Sequence, residues 1–579
     1  MSGGPAARRL RAPVAALLAL VGALLVVGGS APAARAHASV VGTSPANGAE
    51  VSVRPTSVRV TFDEPVTLAG GLAGASVLDG SGARVDVGRP RLDAARRTLT
   101  IPLERGLPRG AYIASWSVVS ADTHPVGGSI EFGYGTPAAT SASPAPTGPS
   151  PTLTLVVGLA KGVLYLALVL AFGLLPAARV LGVGVASRTV RRVVVAGLAG
   201  ALLASVGQLV AQYAWTASSA GPVDGAVLGS ALAGFAGSAY AVRVWVRLVL
   251  LGLALVLVTR RAGTGLAGTA LPGTGPAEGS RSVTVREGAV AVLGLGVVVT
   301  VVLDGHGGTG GWRLVCTTAH AAAAVAWLGG LVVLGWLVLR RRLSADRLAR
   351  LGAWSAYAGV AAAVLVASGT VQAIVAVRYP AALVTTPYGL VLLAKLALVA
   401  AALGLAVAGR RWVAVQRRFV RPEPGRTARL RVRTRWEAGA LVGVVLLSGV
   451  LSSVPPAESA YAPTATRHTT VGPYAVTFEA GPVRRGPTSF RVTVLPPSEA
   501  APMPTVLELT LAQPGGPVTG LAVRFPYRVP GALAPGRPTP VTFTSETVTV
   551  PSTGAWTATL TVGADRLDQY TTVVDLAFL

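Results

Sequence analysis

The chain has 579 residues, 51% of them hydrophobic and 13% charged, with 71 Gly, 41 Pro and a formal charge of +26. Long apolar runs at this composition exclude a single soluble domain and predict a multi-pass membrane protein. The basic residues are nearly all Arg and fall in short loops between apolar runs, so the charge follows membrane topology and no nucleic-acid partner is expected. The single cysteine, Cys316, excludes an intrachain disulfide and a Cys-rich zinc site, and the two methionines, Met1 and Met503, exclude a thioether cluster for Cu(I).

At the N-terminus, Arg8, Arg9 and Arg11 precede the apolar run PVAALLALVGALLVVGG and the triplet Ala34-Arg35-Ala36. This is the layout of a secretory signal over residues 1–36, with an uncleaved anchor as the alternative. Cleavage after Ala36 makes His37 the first residue of the mature chain.

From His37 to about residue 135 the stretches SVRVTF, GASVLDGSGARVDV, RTLTIPL, AYIASWSVVS and GSIEFGYG alternate apolar and polar residues between turn signals. They predict a small all-β sandwich outside the cell. Asp122 and His124 lie two apart just beyond AYIASWSVVS, and on an extended chain such residues point to the same side. A free N-terminal histidine brings an α-amine, with a reference pKa of roughly 7.7–8.0, and Nδ1 to one chelate ring. With Asp122 and His124 this makes a nitrogen-rich set that suits Cu(II) in a planar arrangement. Taken separately, each feature has an ordinary explanation: a cleavage accident at His37 and a strand cap in Asp-Thr-His-Pro.

His37 at the cleavage site, TSPANG at 43–48, VTFDEPV at 60–66 and SADTHPVGGSIEFGY at 120–134 together resemble the CopC family of copper-binding β-sandwiches. The resemblance implies that His37, Asp122 and His124 ligate Cu(II) and that Glu64 is the acidic residue beside the metal. The methionine-rich Cu(I) site of that family has no counterpart, because residues 37–135 contain no methionine. One copper site, for Cu(II), is expected.

A Pro/Ser/Ala linker at 136–152 ends this domain. Beyond it lie eight predicted spans, at about 153–175, 193–215, 241–259, 287–304, 315–339, 355–377, 388–408 and 437–454. Arginine is concentrated in the odd-numbered loops, for example Arg188, Arg191 and Arg192, or Arg340 to Arg342. Those loops are therefore expected in the cytoplasm, and both termini outside a cell membrane whose lipid bilayer the core spans.

Ionisable side chains inside such a core are costly and mark function. The segment LDGHGGTGGWRLVCTTAHAAAAVAWLGGL gathers Asp304, His306, Cys316 and His320, and Cys316 and His320 are spaced to share one helix face. These four are the candidate copper path. Each also has a plain structural reading: a Gly-rich turn around Asp304 and His306, a buried apolar thiol at Cys316, a helix-bridging hydrogen bond at His320. Lys161 and Lys395 can snorkel or pair, and Trp327-Leu-Gly-Gly reads as helix packing. GHG at 305–307, AHAAAAVAWLGGL at 319–331, TTPYGLVLLAKLALV at 385–399 and WEAGALVG at 436–443 are similar to the CopD family across roughly 153–456. That resemblance implies a membrane partner of CopC implicated in copper uptake; Cys316 is not part of the family pattern.

Residues 466–579 return to alternating segments and predict a second extracellular β-sandwich of about seven strands, with His468 ahead of the first strand and no metal site. The chain is thus expected to join an extracellular all-β sandwich, an eight-helix transmembrane bundle and a second extracellular all-β sandwich. Its expected role is copper binding and copper import, without enzymatic activity, with copper supplied by a periplasmic or extracytoplasmic donor. Two other classes fit parts of the pattern. One is a histidine-brace oxidative enzyme, in which Asp122 would occupy the position oxygen needs; the other is a copper chaperone or sensor without transport.

Overall fold

A computed structural model describes residues 38, 40–68, 74–120, 125–136, 150–183, 187–218, 235–236, 238–260, 277–305, 311–339, 345–416, 424–516, 518–531, 538–564 and 568–579. The predicted signal segment, His37, Asp122, His124, His306 and most of the predicted 136–152 linker lie outside the described residues.

The first domain contains β1 (Val40–Ser44), β2 (Ala49–Val51), β3 (Ser57–Phe62), β4 (Thr67–Leu68), β5 (Ala75–Asp79), β6 (Arg91–Leu92), β7 (Thr98–Pro102), β8 (Gly110–Val119) and β9 (Pro125–Tyr134). In β3, Val58, Val60 and Phe62 turn inward while Arg59 and Thr61 face solvent, the period-2 pattern that a half-buried strand requires. One sheet runs β1-β3-β7-β6; the other runs β2-β9-β8-β4, with β5 also paired to β8. Val60, Leu99 and Ile101 from the first sheet meet Val77, Trp116 and Phe132 from the second in one core, forming the N-terminal β-sandwich.

Seven helices among the described residues are long and apolar enough to cross a membrane. They are α1 (Pro151–Val180), α2 (Arg188–Ser218), α3 (Ala239–Thr259), α4 (Ala277–Leu303), α5 (Gly311–Leu339), α6 (Ala345–Val377) and α7 (Pro387–Gln416). The last apolar run, at 437–454, falls on α8 (Pro424–Leu451), which packs against both α1 and α7. A Cβ on Gly449 of α8 would land on the backbone of Gly158 and Gly162 of α1, so these two helices meet backbone to backbone. The Trp327-Leu-Gly-Gly stretch serves packing: Gly329 abuts Gly173 in the π-helical turn of α1, and Gly330 receives the ring of Trp354.

After a helical turn at Ala457–Ala460 the described residues form ten strands rather than about seven. These are β10 (Ala465–Val471), β11 (Tyr474–Gly481), β12 (Gly486–Leu495), β13 (Val506–Ala512), β14 (Leu521–Val523), β15 (Tyr527–Pro530), β16 (Val541–Thr544), β17 (Val548–Val550), β18 (Gly554–Gly563) and β19 (Gln569–Phe578). The segment LAVRFPYRV splits, β14 joining the sheet β14-β13-β18-β19 and β15 the sheet β10-β11-β12-β16-β15. The first pairing ends at Val523; the Arg524 carbonyl then accepts from Glu546 N at 3.0 Å, and Pro526 directly precedes β15. The segment PVTFTSETVTV likewise divides into β16 and β17, both paired to β12. His468 lies within β10, an edge strand, and its Nδ1 is 3.1 Å from the Thr477 hydroxyl. Val476, Phe478, Phe490, Leu511, Trp556 and Leu560 from the two sheets share one core. These sheets touch the first domain where β12 approaches β1 and where Glu546 lies against Gly48.

Candidate metal centre

A cavity of about 1440 Å³ lies where the first domain, the helical core and the C-terminal sheets come together. From the first domain its wall takes Ala38, Val40, Asp63, Glu64, Val126 and Gly127. The strand register explains why these residues converge. β1 pairs with β3 so that Val40 faces Phe62, which carries the start of the sandwich past Asp63 and Glu64. The residues after Glu64 then form β4, which pairs Thr67 with Val119 at the end of β8, next to the 120–124 connection. Backbone hydrogen bonds from Phe62 N to Arg97 O and from Val66 N to Arg96 O, each 2.8 Å, hold the Asp63-Glu64-Pro65 turn in place. Glu64 itself is 8% exposed.

Of the predicted ligands, only Glu64 is among the described residues. Ala38, next after His37, and Val126 and Gly127, two and three residues after His124, line the same cavity as Glu64, whereas Ser120 is not on its wall.

In the core, Cys316 and His320 of α5 also face this cavity, together with Tyr165, Gln372, Tyr388 and Lys395. Cys316 Sγ is 3.7 Å from the carbonyl oxygen of Ser368, and His320 Nδ1 is 3.0 Å from the Ser368 hydroxyl. Ser368 on α6 therefore touches both donors. It carries no signal in the sequence, because a serine in an apolar span usually hydrogen-bonds its own helix, as this one also does to Val364 O.

Asp304 is not on the cavity wall. Its carboxylate accepts from Arg243 Nε at 2.8 Å and from Arg247, both on α3, and Arg247 further donates to Thr300 and Gln208. This network went unread in the sequence, although two arginines four apart inside an apolar run are themselves the signal. Lys161 donates to the Ser452 carbonyl at 3.3 Å, just past the C-terminus of α8, where exposed carbonyls favour a cation.

Arg378, Glu458, Ser459 and Arg484 also line the cavity, where the core meets the C-terminal sheets. Arg378, just past α6, donates to Glu458 at 2.8 Å, and Arg484 donates to the Ser459 carbonyl. The hydrogen bond to the Glu458 carboxylate pushes the Arg378 guanidinium above its ordinary pKa. Arg378 holds a left-handed backbone with φ of 53°, a strained conformation for a side chain of this size. Among the described residues no three His, Cys, Asp or Glu side chains are grouped to hold a metal ion.

Comparison with known proteins agrees with this architecture. Residues 40–135 match the family model of the CopC domain, and residues 348–451 match that of copper resistance protein D. Copper transport protein CutJ of Bacillus subtilis is 37% identical over 101 residues, which are 17% of this chain and 18% of CutJ. Protein YobA of Escherichia coli K12 is 29% identical over 102 residues, 17% of this chain and 81% of YobA. The crystal structure of CopC from Methylosinus trichosporium OB3b is 31% identical, covering 17% of this chain and 93% of that one, with a TM-score of 0.16. PcoC, a methionine-rich copper resistance protein of Escherichia coli, is 26% identical over 17% of this chain and 99% of its own, with a TM-score of 0.15. The chain thus unites a CopC domain, within its N-terminal β-sandwich, and a copper resistance protein D domain, within its helical core, in one membrane protein.

Proposed function

We propose that this chain binds copper outside the cell membrane and carries it inward. Cu(II) is captured on the N-terminal sandwich by His37, Asp122 and His124, with Glu64 beside the metal. The eight-helix core then takes the copper across. In this reading, residues 1–36 are a cleaved signal, 37–135 the capture domain, 136–152 a linker, 153–456 the membrane domain and 466–579 a second sandwich. Both termini are extracytoplasmic, and an extracytoplasmic copper donor loads the first domain.

The observation that carries this reading is the shared cavity. Its wall contains Glu64 with Ala38, Val126 and Gly127, from the segments that follow His37 and His124, at one end, and the thiol and imidazole of Cys316 and His320 at another. A captured ion therefore has a connected space leading to donors inside the bundle. Asp304, already clamped by two arginines, would act on that path through charge rather than as a ligand. The absence of methionine from residues 37–135, in contrast to methionine-rich PcoC, favours a nitrogen and oxygen site for Cu(II) over thioether binding of Cu(I) at the surface. The reading is one of binding and transport rather than catalysis.

Isotopic copper uptake into vesicles carrying the protein tests it. Wild type should accumulate copper and His320→Ala should lose most of that accumulation. Wild-type vesicles that take up no more copper than empty ones would rule out import.

A further inference from the structure

The geometry points to a binding site for a soft monovalent ion, Cu(I), on Cys316 and His320 inside the core, with Ser368 as its positioning residue. This deepens, and rests on, the reading of the chain as a copper carrier; the captured Cu(II) is reduced outside by an external thiol reductant, two thiols giving one electron to each of two ions and joining as a disulfide with release of two protons, before the ion reaches this site.

Cys316 and His320 sit one turn apart on α5, where residues at this spacing have Cβ atoms about 5–6 Å from each other. A single ion between a sulfur and a ring nitrogen spans such a gap. The hydrogen bonds around Ser368 set the state of the imidazole. The Ser368 hydroxyl has one proton, and it donates that proton to the Val364 carbonyl. Towards His320 the same oxygen must then accept, so the proton sits on Nδ1, 3.0 Å away. Nε2 is left with its lone pair, the form in which imidazole binds a metal. The neighbouring residue makes room for the ring: a Cβ on Gly369 would lie 3.1 Å from His320 Cε1. The Ser368 backbone carbonyl receives the Cys316 thiol, so one turn of α6 addresses both donors.

The donor set selects the ion. Cu(II) calls for several nitrogen and oxygen ligands in a plane, and among the described residues no third His, Cys, Asp or Glu joins these two. Cu(I) is soft and is satisfied by a thiolate with few other donors. On binding, the Cys316 thiol loses one proton to solvent and the Cu–S bond replaces the S–H bond, so the ion and the thiolate cancel in charge. A neutral complex suits the interior of a bundle, where net charge is costly.

Silver(I), which shares the coordination chemistry of Cu(I) and does not change oxidation state, provides the probe. It is titrated into the full chain in detergent after the first domain has been saturated with Cu(II). Wild type should bind one Ag(I) that Cys316→Ser and His320→Gln lose. Ser368→Ala should weaken that binding roughly tenfold, the usual effect of removing a group that orients a metal ligand. Ser368→Thr, which keeps the hydroxyl, should restore it. An unchanged thermal unfolding temperature of the detergent-solubilised chain verifies that the core of each variant is folded. Equal Ag(I) binding by wild type and the Cys316→Ser/His320→Gln double variant overturns the site, and a Ser368→Thr variant as weak as Ser368→Ala overturns the positioning role. Copper uptake by vesicles separates this from the transport reading. Uptake without side-chain-dependent Ag(I) binding leaves transport standing and removes this site; side-chain-dependent Ag(I) binding without uptake does the reverse.

Discussion

Asp304 at the end of α4 is paired with Arg247 of α3, and the two side chains are 2% and 0% exposed. A buried guanidinium that loses its counter-charge is left desolvated, which costs about 3–5 kcal/mol. Asp304→Leu should therefore lower the thermal unfolding temperature of the detergent-solubilised protein strongly. Arg247→Met should cost less, because Arg243 still faces the carboxylate, and the double variant should recover part of the loss. A double variant no more stable than Asp304→Leu would show that the pair is not the source of the effect.

Placing one alanine before His37 in the mature chain converts the amine ligand to an amide. Cu(II) affinity should fall by about 3 kcal/mol, roughly a hundredfold, because an amide nitrogen does not give up its proton near neutrality as the amine does. Calorimetric titration of Cu(II) measures this, and an unchanged affinity would remove the chelate from the capture site.

Gly449→Val should separate α8 from α1, since even a Cβ there meets the backbone of Gly158 and Gly162. Overpacking of this kind costs about 1–3 kcal/mol and should raise protease sensitivity. Gly404→Ala on α7 meets nothing within 4 Å and serves as the silent control. Equal proteolysis of the two variants would count against the close helix contact.

The Asp79 carboxylate accepts hydrogen bonds from Ser81 N, Ser81 Oγ and Ala83 N at 2.6–2.9 Å. These bonds hold its pKa below the ordinary 3.8, the Ser81 hydroxyl having the largest effect. A depressed carboxylate stabilises the turn above its unfolded pKa, and that stability is lost as pH falls through the folded value. Amide-exchange protection at Ser81 and Ala83 should accordingly be constant above about pH 4 and decline below it, whereas Asp79→Ala should lower it at neutral pH and flatten the decline. A wild-type profile that stays flat down to pH 2 would contradict this assignment.

Much of the architecture was legible because two periodicities leave little choice. An apolar run of eighteen or more residues can satisfy its backbone in a bilayer only as a helix, so seven predicted spans fall within or close to α1 to α7, several of which extend up to about ten residues beyond them, and the eighth apolar run overlaps α8, which begins well before it. Strict alternation in SVRVTF or AYIASWSVVS places those strands within a residue of β3 and β8. The reading failed where that alternation is absent. β10 is a polar edge strand with most of its side chains in solvent, so nothing in Thr466 to Thr470 marks a buried face. The division of LAVRFPYRV between two sheets is set by which strands lie beside it, β13 as far as Val523 and β16 from Tyr527, and the partner strands are not legible in the segment itself.

The sequence by itself determined which residues have the chemistry of metal donors, since residue type and helical spacing already place Cys316 and His320 on one face. Only the tertiary structure decided how those donors are used. Ser368 reaches them from another helix and hydrogen-bonds the His320 ring, while Arg243 and Arg247 hold Asp304 off the cavity wall. The physical reason is that hydrogen bonds and ion pairs act over about 3 Å in space, and no sequence pattern encodes which side chain of a neighbouring helix will lie within that distance.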